Sequence, residues 1–231
     1  MEEKIKKIFK SNNIELNNIQ VKQFKEYYSF LIEENSKYNL TSITNFDDVI
    51  EKHFIDSVYP YKFIKTNTKL VDVGTGAGFP GVPLKILRPD LDIILVDSLN
   101  KRINFLNELI FRLNLKGIKA VHSRAEDFAL KNREKFDFAV SRAVAAIPTL
   151  SEYLLPLVKI GGTAIFYKSM NIDEELKMGE KSIFTLGGAF DNKINFNIGN
   201  NNRSLIFIKK VKNTPLTYPR GKNLPKTKPI I

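Results

Sequence analysis

The segment Leu70-Val71-Asp72-Val73-Gly74-Thr75-Gly76-Ala77-Gly78-Phe79-Pro80-Gly81 limits the fold more than any other part of this 231-residue chain. A short apolar run ending in closely spaced glycines reads as a buried strand whose backbone lets a ligand lie over its C-terminal end. A strand of this kind needs partners at its edges and cover on both faces. The sequence supplies them. Apolar runs at 69–73, 92–96, 118–122, 136–140 and 163–167 are separated by helical stretches at 83–87, 101–115, 125–131 and 147–158. This alternation predicts an α/β fold doubly wound around a mostly parallel sheet. A helix over 174–186 follows. Residues 189–197 and 204–211 then leave no room for a helix between them, so they are expected to close a seven-stranded sheet as an antiparallel pair.

Upstream, residues 2–10 and 17–36 carry apolar side chains at helical spacing, and a third helix over 47–58 has Asn45 as its cap. Their Phe and Tyr side chains are expected to pack in the core. Pro60 and the polar run Thr66-Asn67-Thr68 mark a boundary. The chain is therefore divided into a helical N-terminal extension (1–65), a sheet domain (66–212) and a basic, proline-rich C-terminal arm (213–231).

The charge points to a polyanionic partner. Lysine and arginine number 36 against 25 acidic residues, and residues 203–231 hold eight basic side chains and no acid. Concentrated positive charge attracts nucleic acid through counterion release and long-range steering. Read as a tail, the segment predicts salt-sensitive RNA binding that truncation after Arg203 would flatten. Composition closes other routes. Without cysteine there are no disulfides, thiolate metal sites or cysteine nucleophiles, and with only His53 and His122 no metal is expected. No run approaches 18 apolar residues, and the N-terminus lacks the apolar core of a signal peptide, so no membrane partner and a cytoplasmic location are expected. His53, Asp56 and Ser57 face one side of a helix as ordinary neighbours, with no oxyanion-hole motif nearby.

The glycine loop fits two cofactors. Gly76 to Gly81 matches the dinucleotide fingerprint G-x-G-x-x-G. Gly74-x-Gly76-x-Gly78, with Asp72 two residues ahead, instead resembles the loop of class I S-adenosylmethionine-dependent methyltransferases. An acid at position 72 disfavours a phosphate and suits a cofactor with an ammonium and a sulfonium. Asp97, 19 residues after Gly78, suits the hydroxyls of an adenosine ribose in either case. The dehydrogenase reading lacks a catalytic pair: Tyr61/Lys65 precedes the loop, and Pro219 and Gly221 break any helix joining Tyr218 to Lys222. Pyrimidine carbon-5 methylation needs a cysteine, and amine methylation an Asp/Asn-Pro-Pro-aromatic segment where this chain reads Val140-Ser141-Arg142-Ala143-Val144-Ala145-Ala146. Guanine N7 offers a lone pair and no proton to remove. It requires an in-line approach, exclusion of water and stabilisation of moving charge. Elimination alone does not name the target.

Nearly the whole chain resembles the bacterial small-subunit ribosomal RNA guanine-N7 methyltransferase family (RsmG, formerly GidB). The resemblance rests on Asn39-Leu40-Thr41-Ser42-Ile43, His53-Phe54-Ile55-Asp56-Ser57, the loop from Asp72 to Pro80, Val96 to Arg102, Arg124-Ala125-Glu126, Ser141 to Ala145 and Tyr218-Pro219-Arg220, in that order and spacing. It implies a Rossmann-like class I methyltransferase sheet and methyl transfer from S-adenosylmethionine to N7 of a guanine in the decoding-region loop of 16S rRNA. The substrate would be the small ribosomal subunit or an assembly intermediate, and the protein a monomer. By the same resemblance Gly74 and Phe79 border the methionine end of the cofactor, Asp97, Ser98 and Leu99 its ribose, and Ala125 and Glu126 its adenine, with Gly76 and Gly78 also cofactor-binding. Arg142 faces the reaction centre, with Lys168 the second catalytic candidate. Lys101, Arg102, Arg203, Arg220, Lys222 and Lys226 are the candidate RNA contacts. Two departures stand out: Lys168-Ser169 replaces the usual Lys-Gly, and the glycine and lysines after Arg220 are out of the usual register. The competing readings are a ribosome-binding assembly factor with a vestigial cofactor pocket, a methyltransferase acting on another RNA, and a small-molecule methyltransferase, against which the basic C-terminal segment speaks.

Overall fold

Strand order fixes where a ligand can lie. The computed structural model describes residues 1–169, 172–199 and 201–231. Among them seven strands form one sheet in the order β3-β2-β1-β4-β5-β7-β6. These are β1 (Lys69–Val73), β2 (Asp92–Asp97), β3 (Ile118–His122), β4 (Phe136–Arg142), β5 (Val158–Ser169), β6 (Gly188–Ile198) and β7 (Asn201–Lys210). The first five pair in parallel, and β7 inserts between β5 and β6, antiparallel to both. The order reverses between β1 and β4, which leaves a crevice above their C-terminal ends.

Alternation along the strands builds two cores. Leu70, Ile93, Leu95, Phe138 and Val140 point to one face, where they join the N-terminal helices α1 (Glu2–Ser11) and α2 (Asn18–Tyr38), α5 (Gly81–Leu87) and α6 (Asn100–Arg112). Val71, Val73, Val96, Ala139 and Ala164 point to the other, under α7 (Ala125–Lys131), α8 (Ile147–Leu154) and α9 (Asp173–Thr185). The N-terminal residues thus supply one of the two layers a parallel sheet requires. Ile5, Phe9, Phe24, Tyr27 and Phe54 lie wholly inside that layer, as core packing predicts. Asn17 starts α2 through a reciprocal capping box with Gln20, and Asn39 ends it in the left-handed conformation.

The helix expected over 47–58 is a composite. Asn45 caps α3 (Phe46–Val49), which runs through a π-helical turn (Ile50–Ile55) into α4 (Asp56–Val58) and a 3-10 turn (Tyr59–Phe63). The π turn widens the backbone where His53 and Asp56 face the end of β4. Such turns recur at functional sites.

The basic stretch 203–231 is not a tail. Its first eight residues belong to β7, so truncation after Arg203 would remove most of an inner strand. Lys210 is fully buried, donating to the carbonyls of Leu155 and Val158 and to Thr214 Oγ1. Beyond it the chain lies along α8 and forms a last short helix, α10 (Leu224–Thr227), with Pro225 in its first turn. Arg133 donates to the carbonyls of Thr214 and Tyr218, and Thr149 Oγ1 to that of Pro225. Arg220 makes a two-pronged pair with the wholly buried Glu152, Nε to Oε1 at 2.9 Å and Nη2 to Oε2 at 2.7 Å. Arg220 therefore anchors the arm, and the RNA contact expected of it gives way to this pair. Arg220→Ala leaves a buried carboxylate without its cation and is expected to cost about 3 kcal/mol in urea unfolding. A loss below about 1 kcal/mol would mean that the pair does not hold the arm.

Candidate active site

The C-terminal ends of β1 to β4 open into one cavity of about 490 Å³. The glycine loop forms its floor, with Gly74, Gly76 and Gly78 at positive φ of 73°, 61° and 102°. Only glycine enters this region at little cost. A Cβ on Gly74 would strike Val144, whereas Gly76 has open space where its side chain would be. Gly78 lies beneath the loop against Tyr27 and Val82, not in the cavity wall.

Five of the six loop amides from Gly74 to Phe79 are already spent. Gly74 and Thr75 donate to Val96 O (2.8 and 3.1 Å), Gly78 and Phe79 to Thr75 O (2.9 and 2.8 Å), and Gly76 to Asp97 Oδ2 (2.9 Å). A dinucleotide loop turns such groups toward phosphate; this one turns them inward. Asp72 is wholly buried below it. Its Oδ2 accepts from Thr75 Oγ1 (2.7 Å) and Gly81 N (2.8 Å), while Oδ1 is buried without a hydrogen-bond partner. The acid at position 72 therefore holds the loop and is not part of the cavity wall, contrary to the direct electrostatic role expected for it. Burial pushes its pKa up to about 7, against the lowering effect of its two hydrogen bonds.

Two nearly buried carboxylates line the far end. Asp97 accepts from Gly76 N, from Leu99 N at 3.0 Å and from Arg102 Nη1 at 3.1 Å. Arg102, expected to contact RNA, instead sits in the cavity wall against Asp97. Glu126 opens α7 beside Ala125 and pairs with Arg124 at 3.3 Å. Arg124 also donates to Asn223 Oδ1 (3.4 Å), and Asn223 and Lys226 bring the C-terminal arm into the same wall.

The near end is built around Arg142, the last residue of β4. Its Nη1 donates to Asp56 Oδ2 at 2.8 Å, its Nη2 to His53 Nδ1 at 3.2 Å, and its guanidinium lies 4.8 Å from the centre of the Phe79 ring. The His53 ring stacks on Phe79 at 4.5 Å. Arginine only donates, so His53 Nδ1 must accept, which leaves Nε2 carrying the proton and donating to Thr41 Oγ1 at 2.8 Å. Burial and then the Arg142 charge push the His53 pKa down to about 3, keeping the imidazole neutral.

The family model described as rRNA small subunit methyltransferase G matches residues 20–206. The chain belongs to this family. A relative in Lachnoclostridium phytofermentans, named ribosomal RNA small subunit methyltransferase G, is 53% identical, covering 96% of this chain and 94% of its own length. A second with that name, in Desulforamulus reducens, is 48% identical over 98% and 97%. Among solved structures, P. horikoshii TYW2 in complex with MeSAdo superposes with a TM-score of 0.56 over 68% of this chain and 61% of that one. At 14% identity that likeness shows the class I methyltransferase fold alone.

Of the site residues expected from the sequence, Gly74, Gly76, Phe79, Asp97, Ser98, Ala125, Glu126 and Arg142 converge on the cavity of this family member. Leu99 caps α6 outside the wall and is solvent-exposed. Lys168 lies outside it, in the wall of an adjoining cavity: its ammonium pairs with Glu175 at 2.5 Å and donates to Ala145 O at 2.7 Å, bracing the loop after β4. Arg203 lies 3.6 Å from Asp56, and Lys101, Lys222 and Lys226 are exposed. The sequence reading gave Thr41 and Asn223 no role. Their signals were the Asn39–Ile43 motif directly after a helix and the register change after Arg220.

The two shifted groups pull stability in opposite directions. His53 holds its proton less readily in the folded protein, so its contribution is present above pH 6.5 and lost as the pH falls toward 3. Asp72 holds its proton more readily, so stability is lost as the pH rises from 3.8 through 7. Asp72→Asn keeps the acceptor for Gly81 and removes the second effect. Its urea midpoint is expected to gain on the wild type between pH 4 and 7, each pH unit being worth about 1.4 kcal/mol. A difference that does not change with pH would overturn this account of Asp72.

Proposed function

We propose that this chain methylates N7 of a guanine in the decoding-region loop of 16S rRNA in the small ribosomal subunit or an assembly intermediate, using S-adenosylmethionine. The observation that carries the cofactor choice is the glycine loop. All its amides from Gly74 to Phe79 except Ala77's are satisfied internally, and it is flanked by two nearly buried carboxylates, which suits an adenosine ligand without phosphates. Asp97 retains acceptor capacity for ribose hydroxyls, Glu126 and the Ala125 amide border the adenine, and Phe79, Gly74 and Arg142 border the methionine end. S-Adenosylmethionine supplies the electrophilic methyl group. The chain's own residues bind, orient and exclude water. The Phe79 and His53 rings wall off the reacting end. His53 is neutral with both ring nitrogens engaged, so it is no free base, and guanine N7 has no proton to give up. Arg142, held by Asp56 and His53, presents a fixed guanidinium to the base.

Transfer of labelled methyl to small subunits from cells lacking the protein, with the product nucleoside identified by mass spectrometry, tests this reading. A single 7-methylguanosine in 16S rRNA is expected. Cofactor binding without transfer to any RNA would favour the vestigial-pocket reading. Arg142→Lys, which loses the planar fork, is expected to lower kcat/KM about 100-fold, and full turnover would remove Arg142 from the reaction centre. Replacing both Lys222 and Lys226 by Ala is expected to reduce the slope of log affinity against log salt by about 1 to 2. An unchanged slope would take the arm out of the RNA interface.

A further inference from the structure

A second cavity of about 490 Å³ adjoins the first, the two sharing His53, Arg142 and Ala143 as a common wall. Asp56, Tyr167, Lys168 and Arg203 also line it, Asp56 directly beside Arg142. Asp56 is 5% exposed at its side chain, and its two oxygens are treated differently. Oδ2 is taken by Arg142 at 2.8 Å, while Oδ1 is buried with no hydrogen-bond partner; the nearest cation, Arg203 Nε, stands 3.6 Å away, too far for a hydrogen bond. A buried carboxylate oxygen left without a donor costs stability, and such sites call for a ligand or an ion to complete them.

We infer that Asp56 reads the target base: its Oδ1 accepts from the N1–H and N2–H₂ donors of an extruded guanine occupying this second cavity, while Arg142 beside it donates to O6. The inference rests on the guanine-N7 reading above and specifies how that base is chosen. Guanine presents, in order along one edge, the N2 and N1 donors and the O6 acceptor. Asp56 and the Arg142 bonded to it present the complementary order of acceptor and donor. Adenine would set its N1 lone pair against the carboxylate and its N6 donor against the guanidinium. Bases that undergo chemistry are taken out of the stack into such pockets. With this edge held, N7 lies on the adjoining edge next to O6, and so beside Arg142 in the shared wall. In the transfer the N7 lone pair forms the N–CH₃ bond while the C–S bonding pair returns to sulfur, and N1 keeps its proton. The purine gains positive charge in that step, so the N1–H···Oδ1 bond strengthens toward the transition state, and the same contact aids selection and rate. Arg203, 28% exposed at its side chain, covers Oδ1 in the absence of RNA and is free to move to a phosphate flanking the entering nucleotide.

The test uses the full-length protein and small subunits reconstituted with 16S rRNA carrying guanine or inosine at the methylated position. Inosine lacks only the N2 amino group. The wild type is expected to methylate inosine about tenfold or more less efficiently in kcat/KM, because a site built for a donor rejects its absence. Asp56→Asn is expected to lower kcat/KM on guanine at least about tenfold, to leave cofactor affinity within about threefold, and to bring the guanine-to-inosine ratio close to one. A residue that only holds Arg142 in place would lower both substrates equally and leave the ratio unchanged, overturning the inference. If Asp56→Asn does not unfold cooperatively, the wild-type ratio decides, and a ratio within twofold overturns the inference. Failure of the wild type to methylate the guanine subunit at all would instead strike the underlying guanine-N7 reading.

Discussion

The Arg142 guanidinium ties together three segments that sequence places far apart. It leaves the end of β4, rests over Phe79 of the glycine loop, and is bonded by Asp56 and His53 from the N-terminal layer. Each partner constrains another. Phe79 stacks with His53 and with Tyr27, and the Tyr27 hydroxyl donates to Ala77 O at 2.6 Å, so α2 also fixes the loop. The N-terminal helices therefore both cover one sheet face and build the reacting end of the site.

The sheet was legible because its signals are local. Apolar runs at strand length, glycines at their ends and intervening helical periods placed five parallel strands and the loop to within a few residues. The site at the strand ends followed from the same pattern, since a doubly wound sheet binds ligands where its order reverses. The insertion of β7 between β5 and β6 was not legible. Two strands with no room for a helix between them look alike whichever of them pairs with the sheet.

Charge was read least well, because a charged residue's role depends on its distant partner. Arg220 meets Glu152, 68 positions away in the chain, and Lys210 is buried against carbonyls from the region after α8. Lys168 finds Glu175, seven positions on, and Arg102 reaches back to Asp97. By composition these side chains belong to a basic surface; in the fold they are braces. Of the candidate RNA contacts, Lys101, Lys222 and Lys226 remain exposed, the last two on the arm that completes the cavity. Asp56 is the opposite case, a helical acid with an ordinary look whose two oxygens are set apart only by the π turn and the end of β4.

The inward-turned amides of the glycine loop also bear on what the pocket ignores. Adenosine is the common handle of many abundant cellular molecules, most of which carry it attached to phosphates. A loop whose amides, Ala77's apart, are already committed gives those phosphates few new partners, and the nearby cations Arg102 and Arg124 are themselves paired with Asp97 and Glu126. The pocket can therefore hold the shared nucleoside while staying largely indifferent to nucleotide pools, and the selectivity comes from bonds the protein makes to itself before any ligand arrives.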